Sequence, residues 1–241
     1  MSERLHTTEL SKRFAGRDAV RGISLAVESR EIVGLLGPNG AGKTTTFNMM
    51  IGQTRPSSGK VFLGEEDITH LPMYKRARRG VTYLPQEPSI FRKLTVEQNI
   101  LAILERLPLS RRKRKQRLAG LLAELDLTEK AKQRGATLSG GERRRVEITR
   151  ALVLDPRFLL LDEPFSGIDP IAVAGIQKIV SQLRERGIGV VITDHNVRET
   201  LAICDRAYII NEGRIIREGA PAEIAEDPAV RESYLGESFR L

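Results

Sequence analysis

The sequence predicts an α/β fold in which helices cover a largely parallel β-sheet. Short apolar, β-rich runs recur along the chain, helical stretches lie between most of them, and the first core run leads directly into a glycine-rich loop. Alternation of strands and helices is typical of parallel sheets, because each helix returns the chain to the same edge. With 241 residues, 40% of them hydrophobic, the chain can bury a globular core.

Five apolar runs are the candidate strands of the main sheet, and three others are assigned to a small antiparallel sheet. The first five are residues 32–36, 81–84, 158–161, 190–193 and 207–210. The other three are residues 5–10, 23–27 and 61–63. Between Gln86 and Leu138 the strand pattern gives way to helical segments near residues 96–107 and 111–125. We therefore expect a helical subdomain inserted into an α/β core.

The expected subdivisions belong to one domain. The α/β core with its small β-subdomain is assigned to residues 1–86 and 155–220, the helical subdomain to 87–154, and a C-terminal helix and tail to 221–241. The sequence Asn211-Glu212-Gly213 predicts a tight turn into a strand at residues 214–217. A short helix is expected near residues 222–225.

Composition and charge exclude several classes of protein. Cys204 is the only cysteine, so an intramolecular disulfide is impossible and a reducing compartment is favoured. The N-terminus lacks an export signal, and no apolar run approaches the roughly 18 to 20 residues that cross a bilayer, so we expect a cytoplasmic protein with peripheral membrane association. The formal charge of +8 leaves nucleotide, nucleic acid and anionic lipid as candidate neighbours. The basic cluster at residues 111–117 is expected to be a solvated helix face.

The glycine-rich loop after the first core strand has the pattern of a phosphate-binding loop. Its residues are Gly37-Pro38-Asn39-Gly40-Ala41-Gly42-Lys43-Thr44, with Thr45 as a further binding residue in the following helix. Glycines let backbone N–H groups converge on phosphate oxygens, and the helix N-terminus adds about half a positive charge. We expect Lys43 to bind the β- and γ-phosphates of ATP and the Thr44 hydroxyl to ligate Mg²⁺.

Two carboxylates follow the apolar run at residues 158–161. Asp162 and Glu163 are expected at the C-terminal edge of the sheet, where the ligands of α/β proteins usually lie. Asp162 is the expected partner of the magnesium ion, and Glu163 is the expected general base that polarises the attacking water. An exposed acidic strand end has the same sequence, but the phosphate-binding loop favours the catalytic interpretation.

A second anion-binding helix start is predicted at Leu138-Ser139-Gly140-Gly141-Glu142, which precedes a helical run from Arg143 to Val153. The Ser139 hydroxyl is expected to be free, and a simple capping box is the alternative. At these residues the sequence resembles the signature of ATP-binding cassette (ABC) ATPases. The resemblance covers essentially the whole chain, because the other motifs of the family occur in order.

The resemblance assigns roles to further residues. Phe14 matches the adenine-stacking position, where tyrosine is commoner, and a buried core phenylalanine is the alternative. Gln86 matches the Q-loop, a catalytic and metal-binding position, and His195 matches the switch histidine that contacts the γ-phosphate, with a structural histidine as the alternative. The segment Ser166-Gly167-Ile168-Asp169 matches the D-loop, in which Asp169 either communicates between two sites or caps the next helix.

The family also implies ATP and Mg²⁺ as cofactors and a homodimer with shared sites. Each nucleotide is expected between the 37–44 loop of one copy and residues 139–142 of the other, where Ser139 and Gly141 contact the γ-phosphate. Two transmembrane subunits are expected to dock, and nucleic acid is not an expected partner. The expected docking residues are Ser89, Ile90, Phe91 and Arg92.

Several stretches resemble, more closely, the ATPases of lipopolysaccharide export in Gram-negative bacteria. They are residues 77–80, 84–87, 89–92 and 192–200, together with the endings Tyr234-Leu235-Gly236-Glu237 and Phe239-Arg240-Leu241. ATPases of branched-chain amino-acid importers usually carry Glu-His-Asp where this chain has Asp194-His195-Asn196. The resemblance implies an enzyme on the cytoplasmic face of the inner membrane. An importer ATPase and a soluble nucleic-acid-linked ABC ATPase are the alternatives, and the segment from Glu237 onward is expected to brace the dimer.

Overall fold

The computed structural model describes residues 3–236 and 239–241. The strands among these residues are β1 (Arg4–Phe14), β2 (Arg17–Ile23), β3 (Ala26–Glu28), β4 (Ile32–Leu36), β5 (Ser58–Leu63), β6 (Glu66–Asp67), β7 (Val81–Leu84), β8 (Phe158–Asp162), β9 (Gly189–Thr193), β10 (Arg206–Asn211) and β11 (Arg214–Gly219). The helices are α1 (Lys43–Ile51), α2 (Met73–Arg78), α3 (Val96–Leu104), α4 (Arg111–Glu124), α5 (Gly140–Leu152), α6 (Pro170–Glu185), α7 (Val197–Leu201), α8 (Pro221–Glu226) and α9 (Pro228–Val230).

The main sheet confirms the predicted α/β class. Its strand order among the described residues is β11-β10-β4-β9-β8-β7, and every neighbouring pair is parallel except β10 with β11. All five residues of β4, β8 and β9 are buried. Strands that are covered by helices on both faces read as continuous apolar runs, which is why the sequence located these strands to within a residue.

The antiparallel sheet was predicted less well. It has the order β2-β1-β5-β6, and β3 pairs with another part of β1. The expected single strand at residues 23–27 is wrong, because β2 ends at Ile23 and β3 begins at Ala26. The long β1 pairs with β2 through Leu10 and with β3 through Leu5, so one strand serves two short partners.

Helices α3, α4 and α5 form the region that was predicted to be a helical subdomain. Their inner faces belong to the same buried apolar cluster as the main sheet, since Ile100, Leu121 and Val146 pack in one cluster with Leu159 and Ile192. Each helix in the described part of the chain is too short or too polar to cross a bilayer. The division into subdomains remains a prediction.

The C-terminal region extends the core beyond the last strand. The predicted turn is present, with Glu212 and Gly213 both at positive φ (46° and 78°) between β10 and β11, and α8 forms where a short helix was expected. A π-helical turn at Arg231–Leu235 follows α9, and Tyr234 and Phe239 pack beside a third buried cluster. Glu237, with which the expected bracing segment begins, lies outside the described residues.

A buried arginine holds the C-terminal end of α1. Arg76 of α2 is 1% exposed, and its guanidinium donates to the carbonyl oxygens of Met49 (2.8 Å), Met50 (2.6 Å), Thr69 (2.7 Å) and Leu71 (2.9 Å). The last carbonyls of a helix have no partner within the helix, and a cation suits the negative end of its dipole. Burial lowers the pKa of Arg76 to about 10, so the group stays charged at neutral pH.

We predict that Arg76→Met lowers the free energy of unfolding by about 3 kcal/mol or more, because several buried carbonyl groups lose their donor. Urea denaturation measures this difference. The matched control is Arg78→Met on the same helix, where the side chain is exposed, and we expect a change within about 0.5 kcal/mol. Equal effects of the two substitutions would contradict the assignment.

Candidate functional site

Three parallel strands bring the predicted catalytic segments to one edge of the main sheet. Strand β4 pairs with β9, and β9 pairs with β8 in a register that places Asp162 opposite Thr193. The glycine-rich loop after β4, the carboxylates that end β8 and the Asp194-His195 pair after β9 therefore lie at the same edge. Binding at the carboxyl edge is typical of open α/β sheets.

The glycine-rich loop has the backbone conformation that its sequence predicts. Gly37 has φ 151°, and a Cβ atom there would lie 2.0 Å from the carbonyl oxygen of Ile210. Gly42 has φ 110°, precedes α1 and provides no side-chain cap, and the first turn of α1 contains no acidic residue. The unpaired N–H groups and the positive end of the α1 dipole are therefore available to an anion.

Lys43 lies over the loop. Its ammonium donates to the carbonyl oxygens of Gly37 (2.7 Å) and Pro38 (2.9 Å), and the residue is 8% exposed. Burial lowers the pKa of Lys43, and the nearby carboxylates of Glu163, Asp162 and Asp194 act in the opposite direction. These interactions show that the lysine and the carboxylates occupy one electrostatic environment. The adjoining cavity, of ≈ 170 Å³, is lined by Ala19, Asn39, Gly40, Gly42, Lys43, Thr44, Thr45 and Glu163.

Asp162 is a buried carboxylate at the end of β8. It is 2% exposed and accepts a hydrogen bond of 2.9 Å from the Tyr83 hydroxyl. Burial raises the pKa of Asp162, although the Tyr83 hydrogen bond acts in the opposite direction. A buried anion with one neutral donor has capacity left for a cation.

Glu163 has a strained backbone. Its φ of 46° lies in the left-handed region, which residues other than glycine rarely adopt. Its Oε2 accepts a hydrogen bond of 2.8 Å from Gln86 Nε2 and lies 3.3 Å from His195 Nδ1. The turn at Glu163 therefore aims the carboxylate toward the two other residues that were predicted to be catalytic. Strain of this kind clusters at functional sites.

Asp194 and His195 are adjacent but differ in environment. The Asp194 side chain is fully buried, and it accepts from the backbone N–H groups of Phe165 (2.9 Å) and Asn196 (2.8 Å). Burial raises the pKa of Asp194. The His195 side chain is 59% exposed and faces Glu163. Asp194 thus fixes the loop that presents the histidine. His195 itself is not a core residue, and its catalytic role remains a prediction.

Phe14 is exposed at the rim of a second cleft beside the glycine-rich loop. The residue is 48% exposed, so a buried core phenylalanine is excluded, and the Lys12 ammonium lies 5.0 Å from its ring centroid. The cleft, of ≈ 580 Å³, is lined by Phe14, Arg17, Asp18, Ala19, Arg21, Pro38, Asn39, Gly40, Ala41, Asn211, Glu212 and Gly213. An exposed ring next to a phosphate-type loop has the geometry for stacking on a flat base.

The predicted signature segment forms the start of α5. Ser139 Oγ accepts from the N–H of Glu142 (3.2 Å), and Glu142 accepts from the N–H of Ser139 (2.9 Å), so a capping box is present. The expectation of a free Ser139 hydroxyl is therefore wrong in part, because its oxygen already accepts a hydrogen bond. The hydroxyl proton is not used in this bond. A Cβ atom at Gly141 would lie 2.5 Å from Ala172 Cβ, so glycine permits the close approach of α5 and α6.

The D-loop aspartate caps a helix. Asp169 Oδ1 accepts from the N–H of Ala172 (2.9 Å), and Pro170 opens α6. The capping alternative is thus present in the structure. Because a side-chain cap leaves the second carboxylate oxygen available, the communicating role remains a prediction.

Arg144 was not predicted to belong to the site. This residue of α5 is 6% exposed and lies between the helical region and the sheet edge. Its guanidinium donates to the carbonyl oxygens of Asp162 (2.9 Å), Glu163 (2.8 Å), Pro85 (2.9 Å) and Pro164 (3.3 Å), and it pairs with buried Glu147 at 3.3 Å. The only signal in the sequence was Glu147, a carboxylate about one helical turn later on α5.

The expected docking residues differ in exposure. Ile90 is 8% exposed and packs in the main apolar cluster, so its predicted place on a docking surface is wrong. Ser89 is half-buried, and its N–H donates to Glu147 (2.6 Å). Phe91 is 46% exposed, with the Arg150 guanidinium 4.6 Å from its ring centroid, and Arg92 is exposed beside it. Of the four expected docking residues, Phe91 and Arg92 are therefore the accessible ones.

Comparison with known proteins agrees with this geometry. The "ABC transporter" family model matches residues 20–166, and the model "Branched-chain amino acid ATP-binding cassette transporter" matches residues 214–240. The lipopolysaccharide export system ATP-binding protein LptB of Acidithiobacillus ferridurans is 57% identical, with 100% of both chains covered. LptB of Escherichia coli K12 is 53% identical, over 98% of this chain and 99% of its own.

A solved structure has the same fold. The ADP conformation of an ATP-binding cassette of an ABC transporter superposes with a TM-score of 0.88 and 30% identity, covering 98% of this chain and 99% of that chain. A nucleotide-free cassette gives the same TM-score at 29% identity. Together with the family match and the converging loop, carboxylates and histidine, these similarities show that the chain belongs to the ABC ATPase family.

Proposed function

We propose that this chain is the ATP-hydrolysing subunit of a lipopolysaccharide exporter and acts through separate transmembrane subunits. The observation that supports the reaction is the convergence of Lys43, Asp162, Glu163 and His195 at one sheet edge. The observation that supports the cargo is similarity over the whole chain to proteins named for lipopolysaccharide export, at 53% to 57% identity.

ATP is proposed to occupy the two adjoining clefts. Phe14 stacks on adenine at one end, and the backbone N–H groups of residues 37–44 bind the phosphates at the other. Lys43, now held by two loop carbonyls, turns its ammonium to the β- and γ-phosphates, which are stronger acceptors because they are charged.

The residues beside the loop fit Mg²⁺. Asp162 supplies a buried carboxylate, Thr44 an exposed hydroxyl and Gln86 an amide oxygen, because only Gln86 Nε2 is used in the bond to Glu163. Oxygen donors of these types are the ones that Mg²⁺ prefers. When bound, the ion neutralises charge on the phosphates. Burial of Asp162 strengthens its attraction for a cation.

Glu163 is the proposed general base. Gln86 and His195 hold its Oε2, so the carboxylate is positioned before a water molecule arrives. Glu163 accepts the proton of the attacking water, and His195 donates a hydrogen bond to the γ-phosphate as charge builds on its oxygens. Arg144 contributes as a positioning residue, because it binds the carbonyl oxygens of both Asp162 and Glu163.

The site is proposed to be shared between two copies. Ser139 is exposed at the N-terminus of α5 and retains its hydroxyl proton for a phosphate oxygen. Gly140, Gly141 and Glu142 complete the helix start, whose free N–H groups attract an anion. Phosphate bound by the loop of one copy would therefore be contacted by the second copy, and hydrolysis would release the pair.

The surface at Phe91 and Arg92 is proposed to contact the transmembrane subunits at the cytoplasmic face of the inner membrane. An exposed aromatic ring that is held in place by Arg150 is a typical interface anchor. The family model named for branched-chain amino-acid transporters matches residues 214–240 alone, whereas the relatives named for lipopolysaccharide export match the whole chain. For this reason the importer is not favoured.

We predict that Glu163→Gln keeps ATP binding but slows hydrolysis by about 10² to 10⁴, the usual contribution of a general base. Phosphate release measures the rate, and light scattering in ATP should show a doubling of mass, because the shared site forms but does not open. The matched control is Glu185→Gln at the exposed end of α6, which should hydrolyse normally. Unchanged turnover in Glu163→Gln would remove Glu163 from this role.

We predict that Asp194, which follows β9, supports the stability of the fold and that its neighbour His195 supports hydrolysis. Asp194→Ala should lower the free energy of unfolding by about 2 to 4 kcal/mol, because two N–H donors lose their acceptor. His195→Ala should leave stability within about 0.5 kcal/mol, since the side chain is largely exposed, but should slow hydrolysis by roughly 10²-fold or more. Urea denaturation and phosphate release give the two readouts. A large loss of stability in His195→Ala would argue for a structural histidine.

One experiment tests both the proposed lipopolysaccharide cargo and the proposed docking surface at Phe91. We expect the chain to co-purify with transmembrane subunits in mild detergent, and the complex to release lipopolysaccharide from membranes in an ATP-dependent manner. Phe91→Ala should abolish co-purification, whereas Ile216→Ala, at a comparably exposed residue (44% against 46%) on β11, should preserve it. Recovery of amino-acid importer subunits would reject the proposed cargo.

A further inference from the structure

The first two turns of α4 carry a group of cations that the site does not use. Arg111, Arg112, Lys113 and Lys115, which we call the basic face of α4, are all exposed. None of the four forms a salt bridge with a described residue. Arg114 and Arg117 on the same helix are half-buried and donate to the carbonyl oxygens of Leu107 (3.5 Å) and Val153 (3.0 Å). The helix therefore separates cations that support the fold from cations that face solvent.

Folding does not explain the position of the basic face. The N-terminus of a helix is the positive end of its dipole, where acidic residues are stabilising and cations are not. The first turn of α4 contains no acidic residue. Ser110 already caps the helix by accepting from the N–H of Lys113 (3.3 Å). Residues that oppose local electrostatics without a compensating contact are expected where function requires them.

The basic face belongs to a projecting helix end. Successive helical residues are rotated by about 100°, so residues 111, 112, 113 and 115 point in directions that span roughly 200°. Side chains pointing in such different directions can all be exposed only if this end of α4 stands out from the surface. Positive charges that spread over such a wide range of directions suit an extended anionic surface better than a single carboxylate in a docked partner.

The basic face lies close to the surface that is proposed to contact the transmembrane subunits. Arg150 of α5 covers the ring of Phe91, and Val153, which immediately follows α5, accepts from Arg117 of α4. Arg150 and Val153 are three residues apart, which is about one helical turn. The Phe91 ring and the second turn of α4 thus both contact the C-terminal end of α5, and the basic face lies within about two turns before Arg117.

We propose that the basic face of α4 binds the anionic phospholipid headgroups of the cytoplasmic leaflet, beside the transmembrane subunits. The proposal rests on the proposed function, which places the Phe91 surface against a membrane complex. Juxtamembrane cations are attracted to such a leaflet by an amount equivalent to about fivefold in partitioning for each residue. The helix RRKRKQRLAGLLAE contains no aromatic residue on which a base could stack, which disfavours nucleic acid.

The test uses the purified full chain and vesicles without transmembrane subunits or lipopolysaccharide. Co-sedimentation is measured with phosphatidylcholine alone and with 30% phosphatidylglycerol, at low and high salt. The variant carries Arg111→Gln, Arg112→Gln, Lys113→Gln and Lys115→Gln, because glutamine is a good helix former. The control carries Lys75→Gln, Arg78→Gln, Lys178→Gln and Arg214→Gln at exposed residues elsewhere. Each set removes four positive charges and lowers the formal charge from +8 to +4.

We expect the unsubstituted chain to bind the anionic vesicles in a salt-sensitive manner and the α4 variant to lose partitioning by on the order of 10²-fold. The control should lose severalfold at most, and both variants should hydrolyse ATP normally, which separates this result from failure of the catalytic proposal. Equal losses in variant and control, or no binding by the unsubstituted chain, would overturn the proposal. A variant that binds vesicles normally but fails to capture the transmembrane subunits would instead assign the basic face to a protein partner.

Discussion

The arrangement of this site depends on the buried guanidinium of Arg144. This group reaches from the signature helix to the carbonyl oxygens of Asp162 and Glu163, where β8 ends. Backbone carbonyls at the end of a buried strand need donors, and water has little access to them. Because the same group also bonds to the carbonyl oxygen of Pro85, it fixes the chain just before Gln86. The proposed base, its amide partner and the proposed magnesium ligand are all positioned from a single cation.

The strain at Glu163 is understandable in this setting. A left-handed residue costs of order 1 kcal/mol or more and persists only when its surroundings determine it. Here its N–H donates to Thr193 (2.7 Å), and its carbonyl oxygen accepts from Arg144. With both backbone groups held, the Cα–Cβ bond of Glu163 is fixed, and its carboxylate contacts Gln86 and His195. The conformation is therefore imposed by β9 on one side and α5 on the other.

The sequence predicted those features that depend on local pattern. The strands of the main sheet are continuous apolar runs, and the glycine-rich loop requires positive φ at Gly42, so both could be located without coordinates. Features that depend on distant partners could not. Arg144 has the same side chain as its half-buried neighbours Arg143 and Arg145, so the sequence does not single it out. Ile90 lies close to exposed residues, which hid its place in the core. The break between Ile23 and Ala26 arises because β1 pairs with β2 along one part and with β3 along another. The local sequences of β2 and β3 do not show this change of partner.

The apolar cluster that joins the helical region to the main sheet also has a mechanical meaning. Close-packed side chains are poorly compressible, so they pass on a displacement instead of absorbing it. Phe91 rests against Arg150, which lies six residues after Arg144 on α5. A displacement of the aromatic ring would thus be transmitted along α5 to the carbonyl oxygens of Asp162 and Glu163, the proposed catalytic carboxylates. In this chain a single helix connects the proposed docking surface with the proposed catalytic site.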